Sequence, residues 1–290
     1  MHRNFKHFIL TRFNLATPGR EETLRSASGW LDRRIELFEQ YCLPSVDAQT
    51  THDFLWLIYM DERTEEAYRD GFAGYDAREY VEIRYVDGRE FTIDTARQDI
   101  ATRLQAGQDW VITTRLDNDD AIGCDFVRKI QDQASFTRRE ILNFPSGITL
   151  RGNDAYLQTD RSNAFSTMVE PRSDNILTVW CRQHIDLPMV APVVQIRSAP
   201  AWCQVIHGEN VTNRVKGRRI RLKKALKDFP FGADSEEVER TSEIVFDNLV
   251  LFPVRFIRNF FKLMIYGAFH LVERLSGVSP SELIRRRREK

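Results

Sequence analysis

The sequence predicts an α/β fold built on a doubly wound, mixed sheet and followed by a basic helical extension. Three observations carry that reading. Residues 8–116 alternate short apolar runs with stretches of helical periodicity, the pattern of a mostly parallel sheet with helices on both faces. Past residue 134 the apolar runs become short and are separated by Gly, Asn, Pro and Asp, which points to mixed or antiparallel pairing. Charge also divides the chain. Residues 1–213 hold 24 Lys+Arg against 32 Asp+Glu and residues 214–290 hold 18 against 10, although the whole is neutral.

Each element has its own signal. Phe8-Ile9-Leu10 starts a strand that ends at Thr11-Arg12-Phe13-Asn14. Leu31, Ile35, Phe38 and Cys42 recur at helical spacing, and Pro44 closes that helix. Phe54 to Met60 is an unbroken apolar run ending at Asp61, as in a strand buried on both faces. Glu62–Arg69 reads as a helix, Val81–Val86 as a third strand, and Thr95–Gln105 as a helix with Ala96, Ile100, Ala101 and Leu104 on one side. Trp110–Thr114 is the next buried strand, and Cys124–Ala134 a helix. Ile141–Phe144, Ile148–Leu150, Tyr156–Leu157, Phe165–Val169 and Trp202–Ile206 are short strand candidates. The expected division is a catalytic domain over residues 1–213 and a basic linker with an amphipathic tail over 214–290.

Composition excludes several classes. With 42% apolar and 29% charged residues in a 290-residue chain, the body is globular rather than disordered. Cys42, Cys124, Cys181 and Cys203 lack metal-type spacing and read as reduced thiols of a cytoplasmic protein. The apolar stretch after Met1–His7 is broken by Arg12, which argues against a signal peptide, and no uncharged apolar run reaches 18 residues. Neither a Gly-x-Gly-x-x-Gly turn nor a Gly-Lys-Ser/Thr loop occurs, which lowers dinucleotide-binding folds and P-loop enzymes.

The chemistry concentrates in Val111–Asp120. There a buried strand delivers Asp117, Asp119 and Asp120 to its carboxyl end, where open α/β sheets place their ligands. Clustered carboxylates suit a hard divalent cation, Mg²⁺ or Mn²⁺. A plain polar loop in which Asp120 caps a helix is the alternative. His207 follows the apolar Val205-Ile206 and precedes Gly208; a neutral imidazole there suits Mn²⁺ beside carboxylates.

Three blocks together resemble the GT-A glycosyltransferases that use nucleotide-sugars: Tyr41–Val46 with Gln49 and Phe54–Asp61; Arg97–Gly107 leading into Trp110–Asp120; and Trp202–His207 with Gly208-Glu209-Asn210. More narrowly, Thr11-Arg12-Phe13-Asn14, Leu116–Asp120 and Val205–Asn210 are similar to the bacterial "putative rhamnosyl transferase" family, over roughly residues 5–213. The resemblance implies a GT-A-like fold and an Asp-x-Asp motif in which Asp117 and Asp119, with His207, hold the cation. Arg12, Asp61, Arg97 and Asp117 would then bind the nucleotide-sugar. Asp61 could instead cap a helix, and Arg12 and Arg97 could be solvated surface arginines. An inverting enzyme needs a carboxylate base; Glu170 is the first choice, with Asp186 and Asp174 as alternatives.

The implied activity is metal-dependent sugar transfer, with rhamnose suggested by the family, to a surface-glycan or lipid-linked acceptor in polysaccharide biosynthesis. A metal-dependent nucleotidyltransferase and a non-catalytic scaffold are the competing readings. Lys216–Lys227 carries seven basic residues, and Arg255, Arg258 and Lys262 recur along one side of an apolar Leu249–Leu275 helix. That combination suggests an anionic membrane surface as partner, at the inner face of the cell membrane, rather than nucleic acid. Packing on the body, or on a second subunit as a homodimer, is the alternative.

Overall fold

The computed structural model describes residues 4–15, 29–207, 214–232 and 241–258, together with Met264. Two sheets dominate it. The first has seven strands: β1 (Phe5–Arg12), β2 (Leu55–Asp61), β3 (Val81–Val86), β4 (Trp110–Arg115), β6 (Glu140–Asn143), β9 (Thr167–Pro171) and β10 (Val193–Gln195), in the order β10-β6-β9-β4-β1-β2-β3. Only β9 runs against the others, pairing antiparallel with both β4 and β6. The second sheet has the order β12-β8-β7-β11-β5, from β5 (Ala121–Ile122), β7 (Ser146–Arg151), β8 (Asp154–Thr159), β11 (Trp202–Val205) and β12 (Arg218–Ile220). The expected GT-A-like, doubly wound mixed sheet is present.

Helices cover both faces of the first sheet. On one face α1 (Trp30–Leu37) continues through a π-helical turn, Phe38–Cys42, into α2 (Leu43–Asp47). There Phe38, Cys42 and Val46 pack on Trp56, Ile58 and Ile112, with α3 (Glu66–Ala73) adding Phe72 and α5 (Phe126–Gln133) adding Ile130. On the other face α4 (Ile93–Thr102) sets Ala96 and Ile100 against Leu57, Tyr59 and Val111. Each fully buried large apolar side chain contributes about 1.5–3 kcal/mol, so the continuous apolar runs of β1, β2 and β4 fix the parallel centre of the sheet. His7 lies in that centre. Its Nε2 meets Thr114 Oγ1 at 2.8 Å, and Thr114 Oγ1 meets Thr167 Oγ1 at 2.7 Å.

Several boundaries differ from expectation. The helix expected over Glu62–Arg69 begins at Glu66, because the intervening residues form a turn on Asp61. The helix expected from Thr95 begins at Ile93, where Thr92 supplies the cap. Packing does not stop at residue 213. β12 pairs with β8, and α6 (Leu222–Ala225) buries Leu222 and Ala225, with Leu226 and Phe229, beneath the second sheet. Much of the expected basic linker is therefore part of the body. A further helical stretch opens with α7 (Thr241–Phe246) and runs on through residue 258; Lys262 and the remainder of the expected tail helix, Met264 apart, lie outside the described residues. Among the described residues no helix is long and apolar enough to cross a membrane. All four cysteines are free.

Candidate active site

The site grows out of the end of β4. Its apolar run ends at Arg115, and Leu116 N–H still donates to Leu10 O on β1. The chain then turns sharply: Asp120 N–H donates to Asp117 O, and the buried Asn118 amide donates to Phe13 O at 3.0 Å. β5 follows at once and pairs with β11. The turn is thus held between two sheets, which gives its carboxylates fixed and different surroundings.

The three acids divide their work. Asp120 is buried, and its Oδ1 accepts from Val205 N–H of β11 at 2.9 Å. Burial, then the charges of Asp119 and Asp117, push its carboxyl well above the usual range. It joins the acidic turn to the second sheet. Asp119 is also buried, and its Oδ2 accepts from His207 Nε2 and from Arg34 Nη1, each at 2.8 Å. Burial raises its carboxyl, but the bond to His207 and the charge of Arg34 outweigh that, so it stays below the usual range. Asp117 is the most open of the three, with a side chain 41% exposed and 3.0 Å from Arg115 Nη2.

Asp119 and His207, expected to share a cation, are therefore brought together. Asp117 is turned to Arg115 instead, and among the described residues no three His, Cys, Asp or Glu side chains are grouped to hold a metal. The pair's donor chemistry, one carboxylate oxygen and one imidazole nitrogen, does suit Mn²⁺. A positive group is already accommodated there: Arg34 Nη1 is 3.3 Å from His207 Nε2 and 2.8 Å from Asp119 Oδ2. Sequence reading passed over Arg34 because only the apolar face of its helix carries a periodic signal.

The other expected site residues separate. Arg12, at the end of β1, lies over Trp180 with 4.6 Å to the ring centre and 5.9 Å from Phe91. Asp61, at the end of β2, is buried; its Oδ1 accepts from Arg63 N–H and its carbonyl from Thr64 Oγ1, so it shapes a turn. Arg97 bonds Asp94 and lines a different groove of about 570 Å³ with Gln98, Leu104, Arg172 and Asp174. The structure does not bring it to the acids.

Glu170 is the clearest correction. Because β9 is antiparallel to β4, Glu170 pairs with Val111 at the opposite end of the sheet from Asp117, six residues or about 20 Å of strand away. It is fully buried and saturated, accepting from Thr178 N–H at 2.8 Å, Leu177 N–H at 3.0 Å and Arg139 Nε at 3.3 Å. It cannot take a proton from an acceptor. Asp174 is excluded by its place in the Arg97 groove. Asp186 sits in the turn His184–Met189. Burial, then Arg115, lower the His184 imidazole, while Asp160 and Asp117 oppose that. His184 Nδ1 is buried and has no hydrogen-bond partner among the described residues.

Parallel strands that deliver acids at their carboxyl ends, with a second sheet returning a histidine to them, belong to a GT-A-like α/β fold. Within that class the chain belongs to the family described as "Putative rhamnosyl transferase", whose model matches residues 6–219. No curated protein matches. Among solved structures, the chain is similar to S. aureus TarS at 8% identity and TM-score 0.43, over 70% of this chain and 37% of that one. It is also similar to the inositol-1-phosphate CTP transferase from T. maritima (11%, TM-score 0.39, 73% and 94% covered). A third is a "putative nucleotide-diphospho-sugar transferase" from Desulfovibrio desulfuricans G20 (13%, TM-score 0.37, 85% and 96% covered). The chain spans little more than a third of TarS.

Proposed function

We propose that this protein is a metal-dependent, inverting glycosyltransferase. In this reading it moves a sugar from a nucleoside-diphosphate donor to a hydroxyl of a surface glycan or lipid-linked sugar, and rhamnose is the sugar the family's name points to. The observation that carries this is the meeting of Asp119 and His207 at the carboxyl end of β4, 2.8 Å apart, beside the open Asp117. Asp119 and His207 would hold Mn²⁺ or Mg²⁺, whose charge would stabilise the departing nucleoside diphosphate. Arg34 and Arg115 add positive charge on the same side, the charge type a leaving diphosphate requires. Trp180 and Arg12, at the ends of the parallel strands, offer a flat cationic platform for the nucleotide. Asp186 would be the carboxylate that accepts the acceptor's proton. The acceptor oxygen bonds the anomeric carbon from the face opposite the diphosphate as the old carbon–oxygen bond breaks, so configuration inverts.

A thermal-shift screen of nucleotide-sugars, each with and without Mn²⁺, tests the reading, because a ligand that binds the native state raises the melting temperature. At least one nucleotide-sugar should stabilise the protein, more so with Mn²⁺, and should then serve as donor in a transfer assay. If none does so under either condition, the proposal fails.

A further inference from the structure

Nine of the twelve exposed large apolar side chains among the described residues lie between Val245 and Met264. Leu249 is 73% exposed, Val254 64% and Phe256 59%. All three belong to the helical stretch that runs from Thr241 through residue 258. Helices on soluble proteins turn their apolar face inward and their charges outward. On this one most of the large apolar side chains are exposed instead. The residues it turns to the body are Asp247, which is buried, and Ile244, Asn248, Phe252 and Arg255, which are half-buried. Arg255 Nη1 donates to Asp247 Oδ2 at 3.0 Å, and its guanidinium lies 5.1 Å from the Tyr156 ring centre. The Asn248 side chain donates to Arg219 O and accepts from Arg219 N–H, each at 2.9 Å. Arg255 is therefore an anchor onto the body and not part of the outward cationic stripe that spacing alone suggested.

The outward cations come from a neighbouring element. Arg218 and Arg221 of the β12 segment, and Lys223 and Lys224 of α6, are all exposed. Two of them border the apolar ridge directly: Arg218 stacks on Phe252 at 5.1 Å, and Arg221 Nη2 reaches Thr241 Oγ1 at 3.4 Å; Lys223 and Lys224 follow Arg221 in the chain. An apolar ridge flanked by cations matches a surface that is apolar beneath a layer of negative charge. We propose that this ridge docks on an anionic lipid bilayer, with Leu249, Val254 and Phe256 entering the headgroup–acyl boundary while the β12–α6 cations meet lipid phosphates. A second copy fits less well, because a two-fold contact sets a patch against itself and would bring these cations together. The proposal is independent of the transfer reaction above.

The test is co-sedimentation of the full chain with vesicles of phosphatidylcholine alone or with added phosphatidylglycerol, at low and high salt. The chain should pellet with anionic vesicles at low salt, less at high salt, and weakly with neutral ones. Replacing Leu249, Val254 and Phe256 together with Ser should abolish pelleting while the melting temperature is unchanged, since all three are exposed. Lys223→Glu with Lys224→Glu should lower partitioning by at least about fivefold for each cation removed. The proposal is overturned if the wild-type chain stays in the supernatant with anionic vesicles at low salt, or if the triple variant pellets as well as wild type. It is equally overturned if the chain elutes as a dimer that the triple variant splits, which would make the ridge a subunit interface.

Discussion

Two buried carboxylates mark the two ends of the central strand pair, and each is matched to an arginine. Glu170 sits where β9 ends beside the start of β4. It is fully buried and takes two backbone N–H groups as well as Arg139. Asp119 sits just past the end of β4. It gives one oxygen to both Arg34 and His207, with the half-open Asp117 two residues away. The first carboxylate is closed off by the fold and the second is shared among side chains beyond the carboxyl end of β4. Burial and an arginine partner are common to both, so neither feature marks a site. What separates them is whether the partners are backbone, fixed by folding, or side chains that a ligand can re-engage.

Breaking the Glu170 end should have the largest effect, and on stability. Glu170→Ala leaves Arg139 and two buried N–H groups without their acceptor, a loss on the order of 3–5 kcal/mol, read by urea unfolding. Transfer per folded molecule should be unchanged. A collapse of turnover at full stability would instead make Glu170 the base. At the other end, Asp119→Ala should lower transfer per folded molecule on the order of 100–1,000-fold, with a smaller loss of stability than Glu170→Ala because its partners are side chains that can turn to solvent. Activity within tenfold of wild type would remove Asp119 from the chemistry.

His7 probes the packing between the two ends. Burial, then Lys6, lower its imidazole from 6.5 to about 3, so the folded state holds it neutral. A base depressed on folding stabilises fully above its unfolded value. That stability is then lost as pH falls from 6.5 towards 3, because the unfolded chain gains the proton first. At pH 5 the loss should be about 2 kcal/mol, measured as an acid-side fall in melting temperature that His7→Gln flattens. An equal acid slope in that variant would assign the fall to other groups. The smallest effect sharpens the Asp119 end: His207→Ala should weaken nucleotide-sugar binding about tenfold, and only with Mn²⁺ present. An equal loss without the ion would make His207 a direct contact of the nucleotide.

Much of the parallel centre was legible because its signals are local. Phe54–Met60 and Trp110–Thr114 are apolar runs that read as buried strands wherever they pair, and the acids after Leu116 necessarily fall at a strand end. The direction of β9 is not local. Phe165–Val169 reads as a strand, yet only its pairing with β4 decides which end of the sheet Glu170 reaches. Arg34 escaped because it lies off the apolar stripe of its helix, and its partner is 85 residues away. Spacing set Arg255 on one outward cationic stripe with Arg258 and Lys262, but it turns to the body while Arg258 stays exposed, since the buried partner Asp247 carries no signal in a pattern that equates charge with solvent. Lys216–Lys227 looks like a linker because most of its cations are exposed, Arg219 being an exception, while Leu222 and Leu226 among them and Phe229 just beyond do the packing.

Asn248 has a further consequence. β12 is the outermost strand of the second sheet, and an uncovered outer strand invites another chain to add itself by backbone pairing. The Asn248 amide occupies both hydrogen-bonding groups of Arg219, as a neighbouring strand would. A chain shortened to residue 232 should keep its core and lose that seal, so it should self-associate through β12 as concentration rises, and Asn248→Leu in the full chain should do so to a lesser degree.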